Sequence, residues 1–205
     1  MISMAPNQTA LKQQLALVTY KSKQPDELSA LKEAQAILGE LEPMHFNDAE
    51  TLGLWGAMHK RLFDITKQRA DLDTAILSYE KGYRLLSDYY NGINLAFLLT
   101  LRASLAKDKE EALADSLLAR STWEDILKIT EAKFAELAVN KDVENNDDRY
   151  WVLATKAEAW VGLDNEAEAR KCLQQAEAFA AESWMVEATQ EQLHKLRQLL
   201  KNSPL

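Results

Sequence analysis

The chain has 205 residues, of which 47% are hydrophobic and 27% are charged, and its formal net charge at pH 7 is −8. This length and apolar content are sufficient for a globular domain or a short helical array without stabilising cross-links. The acidic balance argues against nonspecific binding to nucleic acid or to anionic membranes, since both require a basic surface.

Neither a targeting segment nor a membrane span is predicted. The opening MISMAPNQTA lacks a charged region followed by an apolar region, and the run LAFLLTL near residue 95 is too short to cross a bilayer. Cys172 is the only cysteine, so an intramolecular disulfide cannot form. We therefore expect a cytoplasmic protein.

The apolar residues follow a helical period along almost the whole chain, and no segment alternates as a strand does. Nine helices are predicted, at about 9–21, 25–41, 48–68, 70–86, 89–106, 109–139, 148–161, 165–181 and 184–201. Asn47 or Asp48 is expected to cap the third helix. The stretch NKDVENNDD, residues 140–148, is predicted to be a long polar loop.

Residues 109–139 allow two interpretations. A 3.6-residue apolar period runs through them at Leu113, Leu117, Trp123, Leu127, Phe134 and Leu137. However, STWE at 121–124 matches a capping box, which would begin a second helix. We favour a single long helix.

Helix pairs of roughly 34 residues indicate a tetratricopeptide-like repeat, in which small residues let two helices approach closely. The clearest copy spans DRYWVLATKAEAWVGLDNEAEARKCLQQAEAF, with Ala157 at the small position of its first helix. The second helix of this copy places Ala169, Leu173 and Ala176 at the repeat's small, bulky and small positions. A helical bundle without a repeat is the alternative.

A second copy includes ETLGLWGAMHKR, which contains two glycines beside Trp55. Gly56 takes the small position, facing a second helix that offers Ala75, Tyr79 and Gly82. Gly53 has no such core role, and it is predicted to face the concave groove of the repeat. A looser copy begins at Tyr89.

The predicted fold is all-α, a tetratricopeptide-like array of antiparallel helix pairs in a short right-handed solenoid. We expect a single domain over 1–205, with repeat-like pairs at about 9–41, 49–86, 89–139 and 148–181 and a capping helix at 184–201. Its leucines, Leu193, Leu196, Leu199 and Leu200, either seal the last repeat or pair with another copy to form a homodimer.

The order ETLGLWGAMHKRLFD, LDTAILSYEKGYRL and YYNGINLAFLL resembles the mitogen-activated kinase kinase kinase TRAFs-binding domain, the central regulatory region of apoptosis signal-regulating kinases. The resemblance covers about 48–189 and is strong up to Leu99. It implies a noncatalytic, protein-binding helical domain, in a signalling or stress-response complex. The chain has no kinase motif, and binding to TRAF proteins is not carried over.

No pattern predicts a catalytic residue, a metal site or a cofactor. The EQLH motif at 191–194 lacks the second copy that a di-iron site needs, and DVENNDD lacks the glycine and late glutamate of an EF-hand. No nucleophile elbow or P-loop is present. His59 is expected to be packed and hydrogen-bonded, and Cys172 to fill a small apolar space.

In this repeat the first helix of each pair lines the concave groove, which predicts the partner-binding residues. They are Glu50, Gly53, Lys60, Arg61, Tyr90, Asn94, Phe97, Trp151 and Glu158. Burial against a neighbouring helix is the alternative for Tyr90, Phe97 and Trp151, and simple solvation is the alternative for Lys60 and Arg61. The leading hypothesis is a noncatalytic adaptor that binds a protein or peptide. The alternative is a small-ligand or peptide sensor with a pocket inside the superhelix.

Overall fold

The computed structural model describes residues 6–139 and 146–201, and within these ranges it contains nine helices and no strand. They are α1 (Pro6–Ser22), α2 (Glu27–Gly39), α3 (Ala49–Thr66), α4 (Arg69–Leu86), α5 (Tyr89–Leu105), α6 (Lys109–Val139), α7 (Asn146–Gly162), α8 (Glu166–Glu177) and α9 (Ser183–Leu200). The predicted all-α, tetratricopeptide-like array is confirmed. Most of the predicted 140–148 loop lies outside the described residues. Its last three residues instead begin α7, where two aspartates in the first turn interact favourably with the helix dipole.

Carboxylate and amide side chains fix several helix starts. Asp26, Asp48 and Asp88 each accept a hydrogen bond from the backbone N–H three residues later, at 2.8–2.9 Å. Asn165 does the same at the start of α8, at 3.2 Å. These bonds satisfy N–H groups that have no partner within the helix. Of the two caps predicted for α3, the structure selects Asp48.

Helix α6 is continuous over its 31 residues, as we favoured. At the predicted interruption the Thr122 hydroxyl donates to the Leu118 carbonyl of the preceding turn, at 2.8 Å. The next side chain, Trp123, is only 1% exposed. The capping-box motif therefore lies inside the helix, where burial of Trp123 outweighs the local preference for a new start.

The chain divides into two compact units, Met1–Ser87 (unit 1) and Asp88–Leu205 (unit 2). A single domain over 1–205 stays a prediction. In unit 1, α3 is the central helix and packs against α1, α2 and α4. One core cluster of this unit comprises Ala16, Tyr20, Leu31, Ala34, Leu38, Leu41, Met58 and Leu62.

The close approach of α3 to α4 depends on Gly56. A Cβ atom placed there would lie 2.8 Å from the Tyr79 ring, closer than van der Waals contact allows. Tyr79 is 1% exposed, and Ala75 and Gly82 of the same helix are also buried. The predicted small position of this repeat is confirmed.

In unit 2, α5 packs against α6, α7 and α9, and α7 also pairs with α8. The small residues predicted for the gapless copy, Ala157, Ala169 and Ala176, are at most 1% exposed. Leu193 and Leu196 of α9 are completely buried. These two leucines therefore pack inside unit 2, whereas Leu199 and Leu200 are half-buried, and pairing with another copy stays a prediction.

Candidate functional site

Helices α1 and α3 form a joint face in unit 1, called here the α1/α3 face. From the middle of α1, the Gln13 amide donates to Asp48 Oδ2 at 2.7 Å and to Thr51 Oγ1 at 2.9 Å, at the start of α3. Near their ends the Arg61 guanidinium lies 4.9 Å from the centroid of the Tyr20 ring. The contacts advance along both helices together, from Gln13 and Thr51 to Tyr20 and Arg61, so the two helices run side by side in the same direction, as the first helices of neighbouring repeats do.

Three of the predicted binding residues on α3 keep contact with solvent. Glu50 and Arg61 are exposed, and Lys60 is half-buried. Arg61 also donates to the Ala57 carbonyl at 3.0 Å, so its side chain is held in one orientation. Gly53 is buried, because α3 is surrounded by three helices. A place for Gly53 in the concave groove stays a prediction.

The predicted residues of α5 have different environments. Tyr90 is 49% exposed, and the half-buried Asn94 donates its side-chain amide to the Tyr90 carbonyl at 2.9 Å. Phe97 is only 5% exposed, because α5 packs against three helices of unit 2. Burial, the alternative for Phe97, is the correct interpretation, and an open binding role for its ring is wrong.

The predicted residues of α7 make contacts within unit 2. Trp151 is half-buried, with ring centroids 5.1 Å from Tyr150 and 5.9 Å from Trp184. The Glu158 carboxylate accepts a hydrogen bond from the Gln192 amide at 2.8 Å. Both side chains thus connect α7 to α9, and a role in partner binding stays a prediction for them.

An exposed apolar row lies on α1, is called here the α1 stripe, and was not predicted from the sequence. It consists of Leu11, Leu15 and Val18, which are 69%, 52% and 60% exposed. Their spacing places them on one side of the helix, away from the buried Tyr20. The spacing is visible in the sequence, but only the packing shows which apolar side of α1 is left uncovered.

His59 lies at the centre of a buried hydrogen-bond chain that joins three helices of unit 1. Its Nδ1 donates to Asp71 Oδ1 on α4 at 2.9 Å, and its Nε2 accepts from the Gln35 amide on α2 at 3.2 Å. The Trp55 ring packs edge-on, 4.7 Å away. Burial lowers the pKa of His59, although the Asp71 carboxylate acts in the opposite direction. A packed, hydrogen-bonded His59 is confirmed.

Cys172 is a buried free thiol, as predicted, and burial raises its pKa. A protonated thiol is a poor nucleophile, so this environment suits packing rather than reaction. Within the described ranges, no group of three or more histidine, cysteine, aspartate or glutamate side chains is arranged to hold a metal ion.

Among the described residues, no helix combines the length and hydropathy that crossing a bilayer requires. Residues 2–99 match a family model described as Tetratricopeptide Repeats-Sensor. The matched residues cover α1 to α4 and the first part of α5, which supports a tetratricopeptide-like domain. Neither the curated proteins nor the solved structures gave a match to the chain.

Proposed function

We propose that the chain is a noncatalytic interaction domain whose unit 1 binds a partner protein through the α1 stripe. The observation that carries this proposal is the stripe itself, three large aliphatic side chains that are each more than half exposed on one side of a helix. Single exposed leucines are ordinary, whereas an aligned row of them is typical of a surface that another molecule covers.

The spacing of the stripe favours a helix as the partner. Successive members of the stripe, Leu11, Leu15 and Val18, lie about one turn apart, which matches the ridges of an amphipathic helix packed alongside. In a repeat array a helix side that no described helix covers is where a further helix would pack. We therefore propose that the partner presents a helix with an apolar side.

The α1/α3 face is a second, separate surface of unit 1, on the other side of α1. Its exposed members, Glu50 and Arg61, together with the half-buried Lys60, belong to the predicted concave groove. Arg61 is already held by Tyr20 and by the Ala57 carbonyl, so less side-chain entropy would be lost on binding an acidic group.

Affinity capture from the native organism, followed by quantitative mass spectrometry, tests the proposal with matched variants. Leu15→Asp is compared with Leu77→Asp, because Leu77 of α4 is 54% exposed against 52% for Leu15. Both changes place an aspartate inside a helix, so the cost in helix propensity is the same. We expect Leu15→Asp to lose a partner that wild type and Leu77→Asp both retain, with thermal unfolding equal in the two variants.

Two results would overturn the proposal. One is an unchanged set of captured proteins with Leu15→Asp. The other is a concentration-dependent dimer, measured by light scattering, that only Leu15→Asp dissociates, since the stripe would then bind a second copy. Charge reversal of Lys60 and Arg61 tests the concave groove separately: unchanged capture by that double variant removes the groove from the binding surface.

A further inference from the structure

Unit 2 contains a cleft of about 400 Å³ where the end of α7 and the turn into α8 approach α6 and α9. This volume lies within the range of sites for small organic ligands. At about 30 Å³ for each water-sized group, it accommodates a molecule of roughly a dozen non-hydrogen atoms. The residues that line the cleft begin at Thr100, outside the residues 2–99 that the family model matches.

The most informative group in this cleft is the Ser116 hydroxyl. Ser116 is only 6% exposed, and its Oγ has no hydrogen-bond partner among the residues that the structure describes. Thr100, which also lines the cleft, donates to the carbonyl four residues earlier, at 2.9 Å. Buried hydroxyls nearly always have such a partner, so Ser116 has hydrogen-bonding capacity left for a molecule in the cleft.

The second feature of the cleft is its charge. Its lining includes the cationic side chains Arg120, Arg197 and Lys201 and the carboxylates of Asp164 and Glu166, and Arg120 also pairs with Glu124 at 3.6 Å. Arg197 binds Glu166 through Nε at 2.6 Å and Nη2 at 2.9 Å. This pairing lowers the pKa of Glu166 and raises that of Arg197, so both stay charged at neutral pH.

The Arg197 guanidinium is fixed by this two-point contact before any ligand arrives. A guanidinium has five N–H donors, so binding Glu166 through two nitrogens does not use its whole capacity. The apolar side chains of Val161, Leu163 and Leu200 form the remaining wall. The cleft thus combines a positive anchor, a buried hydroxyl and an apolar surface.

We propose that this cleft binds a small organic acid, with its carboxylate at Arg197, a polar atom at the Ser116 hydroxyl and its hydrocarbon part against the apolar wall. The site is independent of the α1 stripe, because every residue that lines it belongs to unit 2.

Isothermal titration calorimetry with a panel of small hydroxy acids tests the proposal on the full chain, with 3-phenyllactate as the first probe. The amide of 3-phenyllactate is the uncharged control of the same size, and phenyl phosphate is the control that carries a different anion. We expect an acid of the panel to bind at least tenfold more tightly than its amide or than phenyl phosphate. No binding by any acid, equal binding of the amide, or binding of phenyl phosphate alone would overturn the assignment.

Three variants connect binding to the named groups. Ser116→Ala removes an unpartnered buried hydroxyl. We therefore expect a higher midpoint of thermal unfolding but at least fivefold weaker binding of the acid. Arg120→Met, an exposed position of the lining, should weaken binding without affecting the fold. Arg84→Met is the control, since Arg84 is ion-paired with Glu80 but lies in unit 1. Affinity unchanged in both Ser116→Ala and Arg120→Met would overturn the proposal, whatever the outcome for the α1 stripe.

Discussion

Gly56→Ala places a single methyl group at the closest approach of α3 to α4. Two opposing effects determine the result. Alanine favours a helix over glycine by about 1 kcal/mol. The new Cβ, however, lies 2.8 Å from a carbon of the Tyr79 ring, and that ring is 1% exposed and closely packed. Overpacking of this kind costs about 1–3 kcal/mol.

The clash should prevail, so we expect the free energy of unfolding to fall by about 1 kcal/mol, and by no more than about 2 kcal/mol. For a chain of this length, 1 kcal/mol corresponds to about 2–4 °C in the thermal midpoint. Urea unfolding monitored by circular dichroism measures the change. Gly39→Ala is the control, since its Cβ would meet only the edge of Trp55 at an ordinary 3.8 Å.

A double-mutant cycle with Tyr79→Leu separates the clash from helix propensity. In that background the methyl group at residue 56 meets a smaller side chain, so the cost of Gly56→Ala should shrink or change sign. If Gly56→Ala stabilises the wild-type chain by about 1 kcal/mol, the propensity term alone decides. The proposed contact between Gly56 and Tyr79 would then be refuted.

Two further predictions concern buried titratable groups. Because folding lowers the pKa of His59 below its ordinary 6.5, the unfolded chain takes up the proton first. The contribution of neutral His59 to the free energy of unfolding should be fully present above pH 6.5. It should be lost as the pH falls through the lower pKa of the folded state. Urea unfolding should show this slope weakened in His59→Gln but kept in His45→Gln, whose position is exposed, and equal slopes would contradict the prediction. The buried Cys172 thiol should react with Ellman's reagent far more slowly in the folded chain than in urea, and equal rates would contradict its burial.

The helices could be predicted from the sequence because their signals are local. Asp26, Asp48 and Asp88 cap helices through hydrogen bonds to residues only three positions away. The period of apolar residues likewise identified the helices on both sides of each turn. The capping motif at 121–124 is also a local signal, and here it does not begin a helix. The burial of Trp123, which keeps α6 continuous, depends on residues distant in the sequence, such as Gly162.

Exposure of the candidate binding residues could not be predicted in this way. The repeat pattern predicts which side of a first helix faces the groove, and it placed Gly53 and Phe97 there. Both residues are buried, because α3 packs against three helices of unit 1 and α5 packs against three helices of unit 2. The position of a helix within its unit depends on contacts between distant residues, and a repeat position does not encode it.

The α1 stripe and the cleft of unit 2 are visible only in the folded chain, because both depend on contacts between distant residues. Leu11, Leu15 and Val18 have the spacing of a core row, and only the absence of a covering helix among the described residues turns them into a surface. Ser116 resembles any other helical serine until its hydroxyl is found buried without a partner. Binding surfaces in a helical array are therefore the places where the core pattern continues but the packing partner does not. A helix with an apolar side on unit 1 and an organic acid in unit 2 would each supply such a missing partner.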